Sequence, residues 1–242
     1  MFVELLAGLP TPLPPFGQHL LYVFDLFGTV VFASTGALVA HEQRRSGLSA
    51  LLYAGLTALG GGTLRDILLG EQPVFWRRSP TYLCLALSAG LITFFLAHNT
   101  SSLRRPQFWL AEGLSLGAFT VVGIQATLSS LAMPDTVLFS GSLRCVLPLL
   151  MGLTTGVAGG LVRDVVDARH PCVLQHPSCV FASLMGGFIY LLLLGLHLVE
   201  GIAAVGAIAT VICSLAFFGH TFYTRRECEP NGQSSLNNTL DW

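Results

Sequence analysis

The stretch Thr57-Ala-Leu-Gly-Gly-Gly-Thr-Leu-Arg-Asp66 decides the fold, because residues 155–164 repeat it as Thr-Gly-Val-Ala-Gly-Gly-Leu-Val-Arg-Asp. An earlier pair of segments also aligns, with an acid, a phenylalanine and a glycine in register: Asp25, Phe32 and Gly36 in one, Glu112, Phe119 and Gly123 in the other. Two blocks in the same order indicate an internal repeat, with a longer connection between the blocks of the second copy.

Both copies of the repeated stretch lie in long apolar segments. The chain has 242 residues, of which 52% are hydrophobic and only 10% are charged, whereas a soluble domain carries about 25% charged residues. A helix needs about 20 mainly apolar residues to cross a bilayer. Seven segments qualify: residues 20–40, 48–68, 81–97, 108–131, 145–166, 178–199 and 202–223. We therefore predict an all-α membrane protein with seven transmembrane helices, surrounded by the lipid bilayer.

The repeat divides these spans into units. Residues 20–99 form the first three-helix unit, residues 100–200 the second, and residues 201–223 a seventh helix without a counterpart. Residues 1–19 are predicted to be an N-terminal extension and residues 224–242 a polar tail. A unit with an odd number of spans returns the chain to the opposite side of the membrane, so the second unit is inverted relative to the first. Inverted three-helix repeats recur in transport proteins.

The arginines predict the orientation. Seven arginines outside the spans fall on one side of the membrane (residues 44, 45, 104, 105, 169, 225 and 226) and three on the other (residues 77, 78 and 144). Positively charged residues accumulate on the cytoplasmic side. We therefore expect the N-terminus outside, the C-terminus in the cytoplasm, and a location in a bacterial inner membrane.

Clustered glycines fall inside the second and fifth spans: Gly60, Gly61 and Gly62 in one, Gly159 and Gly160 in the other. Each glycine disfavours a helix by about 1 kcal/mol relative to alanine. One interpretation is a kinked or unwound segment whose freed carbonyls line a pore, because lipid cannot satisfy them. The other is close packing of helices, for which spaced small residues are typical.

Six charged residues within the spans are candidate functional residues: Asp25, Arg65, Asp66, Glu112, Arg163 and Asp164. Charges inside membrane spans are rare and usually functional, although residues near a helix end also serve as interfacial anchors. Neighbouring residues on a helix point about 100° apart. We therefore expect each arginine to find its acidic partner on another helix rather than in the adjacent aspartate, forming a polar gate beside the glycines.

Other classes of function lack support. The net charge is −1 and no basic block is present, so a nucleic-acid partner is not expected. The motifs of nucleotide-binding loops, serine hydrolases and zinc proteases are missing from the sequence. We predict that the protein is not an enzyme and uses no cofactor or metal.

The doubled Gly-Gly-x-x-Arg-Asp block resembles the bacterial branch of the trimeric intracellular cation (TRIC) channels, a domain also labelled a glycine transporter. The resemblance covers about residues 20–222 and implies a homotrimer in which each subunit has its own potassium-type pore. It implies that the glycines of the second and fifth spans are kink residues lining that pore, with the Arg-Asp pairs as the polar signature beside them. One departure is Ala158, which stands where the first unit has Gly60.

Two functions stay open on the sequence. A passive channel for monovalent cations needs a continuous polar path with weak sites, which paired acids and freed carbonyls suit. A secondary transporter of a small amino acid such as glycine needs a receptor for the carboxylate, which paired arginines suit.

Overall fold

The computed structural model describes residues 15–99, 105–131, 143–168 and 178–195, and all regular structure in these ranges is helical. The helices are α1 (Pro15–Glu42), α2 (Gly47–Leu69), the short α3 (Phe75–Arg78), α4 (Thr81–Asn99), α5 (Arg105–Leu131), α6 (Leu143–Val166) and α7 (Ser178–Gly195). Helices α1, α2 and α4 correspond to the first three predicted spans, and α5, α6 and α7 to the next three.

The prediction of an all-α membrane protein is confirmed. Four helical segments are long and apolar enough to cross a bilayer: Leu21–Glu42, Gly47–Leu69, Ala111–Leu131 and Val146–Val166. Two shorter apolar segments, Thr81–Ala97 and Val180–Leu194, complete the two units. The predicted seventh span, the tail and residues 1–14 of the extension lie outside the described residues.

Helix α1 begins at Pro15, five residues earlier than predicted. Proline is favoured in the first helical turn, because its backbone has no N–H to leave unsatisfied and its φ angle is already helical. Residues 15–19 of the predicted extension are therefore part of this helix.

Both ends of α2 are capped. Ser46 accepts a hydrogen bond from the backbone N–H of Ser49 at 3.4 Å. Gly70 adopts the left-handed conformation with φ of 72° and donates its N–H to the carbonyls of Asp66 and Ile67. Only glycine enters this region freely, so the helix ends here, within one and a half turns after Arg65 and Asp66.

The two units pack face to face. Helix α1 contacts α2, α4 and α5, helix α5 contacts α6 and α7, and α2 packs directly against α6. The rings of Phe32 and Phe119, which occupy aligned positions, contact each other with centroids 5.2 Å apart. A residue that touches its own counterpart lies on or near a two-fold axis, so this contact is the one expected of an inverted repeat.

Candidate functional site

The crossing of α2 and α6 depends on one glycine from each helix. A Cβ atom placed on Gly61 would lie 2.1 Å from the carbonyl oxygen of Thr155, and one on Gly159 would lie 2.2 Å from the carbonyl oxygen of Thr57. These four residues are pairwise equivalent in the repeat. Each helix therefore presses its glycine onto the other's backbone, closer than any side chain permits.

Both helices remain helical through their glycines, since α2 is continuous from Gly47 to Leu69 and α6 from Leu143 to Val166. Neither helix is unwound, which rules out that form of the first interpretation, whereas a kinked, pore-lining form stays a prediction. The physical reason is that Gly61 and Gly159 are used for close helix contact, which requires an intact helix on both sides. This contact supports the packing interpretation of the glycines.

Aligned glycines of α1 and α5 make the same kind of contact. A Cβ on Gly36 would lie 2.7 Å from Thr57 Oγ1, and a Cβ on Gly123 would lie 2.6 Å from Thr155 Oγ1. The two threonine hydroxyls donate to carbonyls one turn earlier in their own helices, those of Tyr53 and Met151. The centre of the two units is consequently a tight, repeated arrangement of glycine against threonine.

The remaining glycines of the clusters have different surroundings. A Cβ on Gly60 would meet its nearest neighbour, Val162, at an ordinary 3.8 Å, which explains why the equivalent position can hold Ala158. A Cβ on Gly62 would lie 2.6 Å from the Phe75 ring, and one on Gly160 would lie 3.7 Å from Glu112 Oε2. Gly62 and Gly160 thus face two groups of polar and aromatic side chains at opposite ends of the crossing.

The first group, here called the Arg65 cluster, contains Asp25, Arg65, Asp66, Phe75 and Tyr82. Arg65 donates from Nε and Nη2 to Asp66 Oδ1 at 2.9 and 2.7 Å. The other oxygen of Asp66 accepts the backbone N–H of Phe75 at 2.7 Å and so fixes the start of α3. Asp25 accepts a hydrogen bond from the Tyr82 hydroxyl at 2.7 Å.

The second group, here called the Arg163 cluster, contains Thr35, Glu112, Arg163 and Asp164. Arg163 pairs with Asp164 Oδ1 at 2.8 Å and with Glu112 Oε1 on α5. A longer hydrogen bond of 3.4 Å joins Arg163 to Thr35 on α1. Arg163, with only 3% of its side chain exposed, therefore ties three helices together.

The expectation that neighbouring residues could not pair is wrong for both arginines. The directions of adjacent Cα–Cβ bonds do differ by about 100°, but the long arginine side chain bends its guanidinium back to the aspartate. The expected partner on another helix is present for Arg163, as Glu112. Within the described residues, Arg65 has no such ion pair, because its equivalent acid, Asp25, binds Tyr82 instead.

Several residues that bond or pack at the two clusters were not predicted from the sequence. Tyr82 carried no signal, since a tyrosine at a span entry usually reads as an interfacial anchor, and Phe75 lies in the connection between two predicted spans. Tyr53, near the start of α2, donates to Asp167 Oδ1 at 3.0 Å. The position of Asp167 one turn after Arg163 was the available hint.

These features define a class: a multi-pass helical membrane protein of two packed three-helix units, with an arginine–carboxylate cluster toward each end of the helix pair that joins them. Two stretches, residues 22–98 and 109–194, match the family model described as glycine transporter. Together they span more than half of the chain, and the protein belongs to this family.

Curated relatives and solved structures agree with this assignment. The UPF0126 membrane protein of Vibrio cholerae is 32% identical over 174 residues, covering 71% of this chain and 67% of the relative. The UPF0126 inner membrane protein YadS of Escherichia coli is 31% identical over 171 residues, covering 71% and 77%. The TRIC trimeric intracellular cation channel orthologue from Rhodobacter sphaeroides superimposes with a TM-score of 0.73 at 29% identity, covering 84% of this chain and 98% of that one.

A second solved structure, presented as the structural basis for conductance through TRIC cation channels, gives a TM-score of 0.68 at 26% identity over 84% of this chain and 93% of that one. The family description thus names a transporter, while the similar solved structures are described as cation channels.

Proposed function

We propose that the protein is a passive channel for monovalent cations such as potassium, acting as a homotrimer in a bacterial inner membrane. Each subunit has its own pathway, bounded by α2 and α6. Its glycine clusters, Gly60 to Gly62 and Gly159 with Gly160, allow the helices to approach or bend, and the six charged residues of the two clusters form the polar gate. The N-terminus lies outside and the C-terminus in the cytoplasm.

The observation that carries this proposal is the excess of carboxylates over guanidinium groups in both clusters. Asp25 and Asp66 accompany one arginine at one end, and Glu112 and Asp164 accompany one arginine at the other. Each group therefore has a formal charge of −1 in a setting where an uncompensated charge is unfavourable. A permeant cation compensates that charge, whereas an anion increases it.

The same contacts bear on the alternative, a secondary transporter of a small amino acid such as glycine, which the family description favours. Such a transporter needs a positive group for the substrate's carboxylate. Arg65 already binds Asp66, and Arg163 already binds Glu112 and Asp164. A substrate carboxylate would have to displace a carboxylate of the protein from either arginine, which makes the channel the better-supported function.

Reconstitution into liposomes tests both functions in one preparation. Potassium efflux and uptake of labelled glycine are measured side by side, with protein-free liposomes as the control, and native mass spectrometry of the detergent-solubilised protein checks the trimer. We expect a potassium flux that saturates only at high potassium concentration, and no accumulation of glycine. Glycine accumulation driven by an ion gradient, without potassium leak, would replace the channel by the transporter.

A further inference from the structure

The two clusters differ in what their equivalent acids bind. Glu112 forms an ion pair with Arg163, whereas its counterpart Asp25 accepts a hydrogen bond from Tyr82, a residue of α4. Asp25 forms no ion pair with Arg65 within the described residues, although Arg65 contacts the Phe75 ring and this ring packs against Tyr82, the partner of Asp25. The internal symmetry is therefore broken at this acid.

A pair of aromatic rings accounts for the difference. The Arg65 guanidinium lies over the Phe75 ring, 5.7 Å from its centroid. Phe75 in turn packs edge-on against Tyr82, with centroids 5.0 Å apart. Arg65 therefore contacts one ring of the pair, Phe75, whereas Asp25 is hydrogen-bonded to the other, Tyr82. Gly62 makes this possible, because any Cβ there would displace the Phe75 ring.

The hydrogen bond from Tyr82 also leaves one side of the Asp25 carboxylate available. Its contact with Tyr82 uses Oδ2, and no hydrogen bond to Oδ1 is present among the described residues. Glu112 also bonds through one oxygen, Oε1, but its partner at the other end is the positively charged Arg163 guanidinium. One end of the subunit therefore has a carboxylate whose partner is a neutral hydroxyl, while the equivalent acid at the other end has a guanidinium as its partner.

We propose that Tyr82 is a positioning residue that holds Asp25 away from Arg65, so that Asp25 receives a monovalent cation more tightly than Glu112, its counterpart at the other end of the subunit. The inference rests on the proposed channel function and adds to it that the two ends of the pathway bind potassium unequally. Without the Tyr82 hydroxyl, Asp25 turns to Arg65, as Glu112 has turned to Arg163, and the receptor is lost.

The test is the change Tyr82→Phe, which removes the hydroxyl and keeps the ring. Single-channel currents in planar bilayers are recorded while potassium is varied on one side at a time. We expect the half-saturating potassium concentration to rise about tenfold for entry from one side, on the scale of a hydrogen bond to a charged group. Entry from the other side and the maximal current should stay near the parent's values.

Two further variants separate positioning from general structure. Asp25→Asn should give the same one-sided effect, and Tyr82→Phe in the Asp25→Asn background should add nothing, because the tyrosine acts through the aspartate. Tyr190→Phe is the matched control, since its hydroxyl is also hydrogen-bonded, accepting from Gln125 Nε2 at 2.6 Å, but belongs to neither cluster.

The outcomes are distinguishable. A parent that carries no potassium current overturns the channel function and this inference with it. A parent that conducts, with Tyr82→Phe unchanged from both sides or fully additive with Asp25→Asn, overturns the inference alone. Should Tyr82→Phe fail to fold, Asp25→Asn decides: a one-sided loss of affinity supports the inference, and a symmetric loss or none overturns it.

Discussion

Three consecutive glycines on α2 have three different surroundings, and this is where the site is most sensitive to single substitutions. A Cβ atom on Gly60 would make ordinary van der Waals contacts, one on Gly61 would collide with the backbone of α6, and one on Gly62 would collide with a phenylalanine ring. Backbone atoms cannot rotate out of the way as a flexible side chain can. The position in the middle is therefore the most constrained of the three.

We predict that Gly61→Ala destabilises the protein by about 2 kcal/mol or more, in line with overpacking of a tight interface. The added methyl group forces α2 and α6 apart. The matched control is Gly60→Ala, which should be neutral or stabilising by up to about 1 kcal/mol because alanine favours the helix. Thermal unfolding in detergent, followed by size-exclusion chromatography, measures both. Equal stability of the two variants would contradict the close contact.

At the scale of helices, the Arg163 cluster joins α1, α5 and α6 through one buried guanidinium. Removing one member of a buried ion pair leaves the other charged and unpartnered, which costs about 3–5 kcal/mol. Exposed pairs are worth much less, typically about 0–1 kcal/mol. The chain offers an exposed comparison in Arg78 and Glu71, whose groups are 3.0 Å apart with side chains 46% and 29% exposed.

We predict that Arg163→Gln lowers stability by several times as much as Arg78→Gln and alters potassium conduction, whereas Arg78→Gln leaves conduction unchanged. Adding Glu112→Gln to Arg163→Gln should restore part of both properties, since the orphaned charge is then removed. A coupling energy of about 1–3 kcal/mol is expected from such a cycle. Strict additivity of the two changes would mean that Arg163 and Glu112 are merely interfacial anchors.

At the scale of the whole molecule, we expect the inverted units to place the two clusters toward opposite membrane surfaces. Arg65 lies near the C-terminal end of α2 and Arg163 near the C-terminal end of α6. These helices are equivalent but run in opposite directions across the bilayer in an inverted repeat. The orientation predicted from the arginines would put the Arg65 cluster on the outer side.

We predict that a reporter fused after Arg226 is active in the cytoplasm and that one inserted between Glu71 and Ser79 is active outside. The arginine asymmetry is the reason, because the translocation of basic loops is disfavoured. Paired reporters, one active on each side, provide the internal control. Exchanged activities would reverse the orientation and move the Asp25 receptor to the cytoplasmic side.

The spans and the repeat could be predicted because apolar length and the recurrence of Gly-Gly-x-x-Arg-Asp are local properties of the sequence. Whether Gly61 breaks its helix or packs was not predictable, since it depends on the carbonyl of Thr155 in a different unit. The partner of Asp25 is Tyr82, 57 residues away, and no local pattern connects them. The expectation that Arg65 and Arg163 would not pair with the adjacent aspartates was wrong, because it considered only the directions of the Cα–Cβ bonds and not the length of the arginine side chain.

The contact of Phe32 with Phe119 has a consequence for how the two halves of the chain can diverge. Where each half meets its own counterpart, a change in one half alters the surface that the other half must fit, as in a symmetric dimer. Substitutions at this contact between the two halves are therefore expected to occur in compensating pairs, one in each half. In the Arg65 cluster, Asp25 and its partner Tyr82 both belong to the first half, so this half is free to specialise there without a matching change in the other.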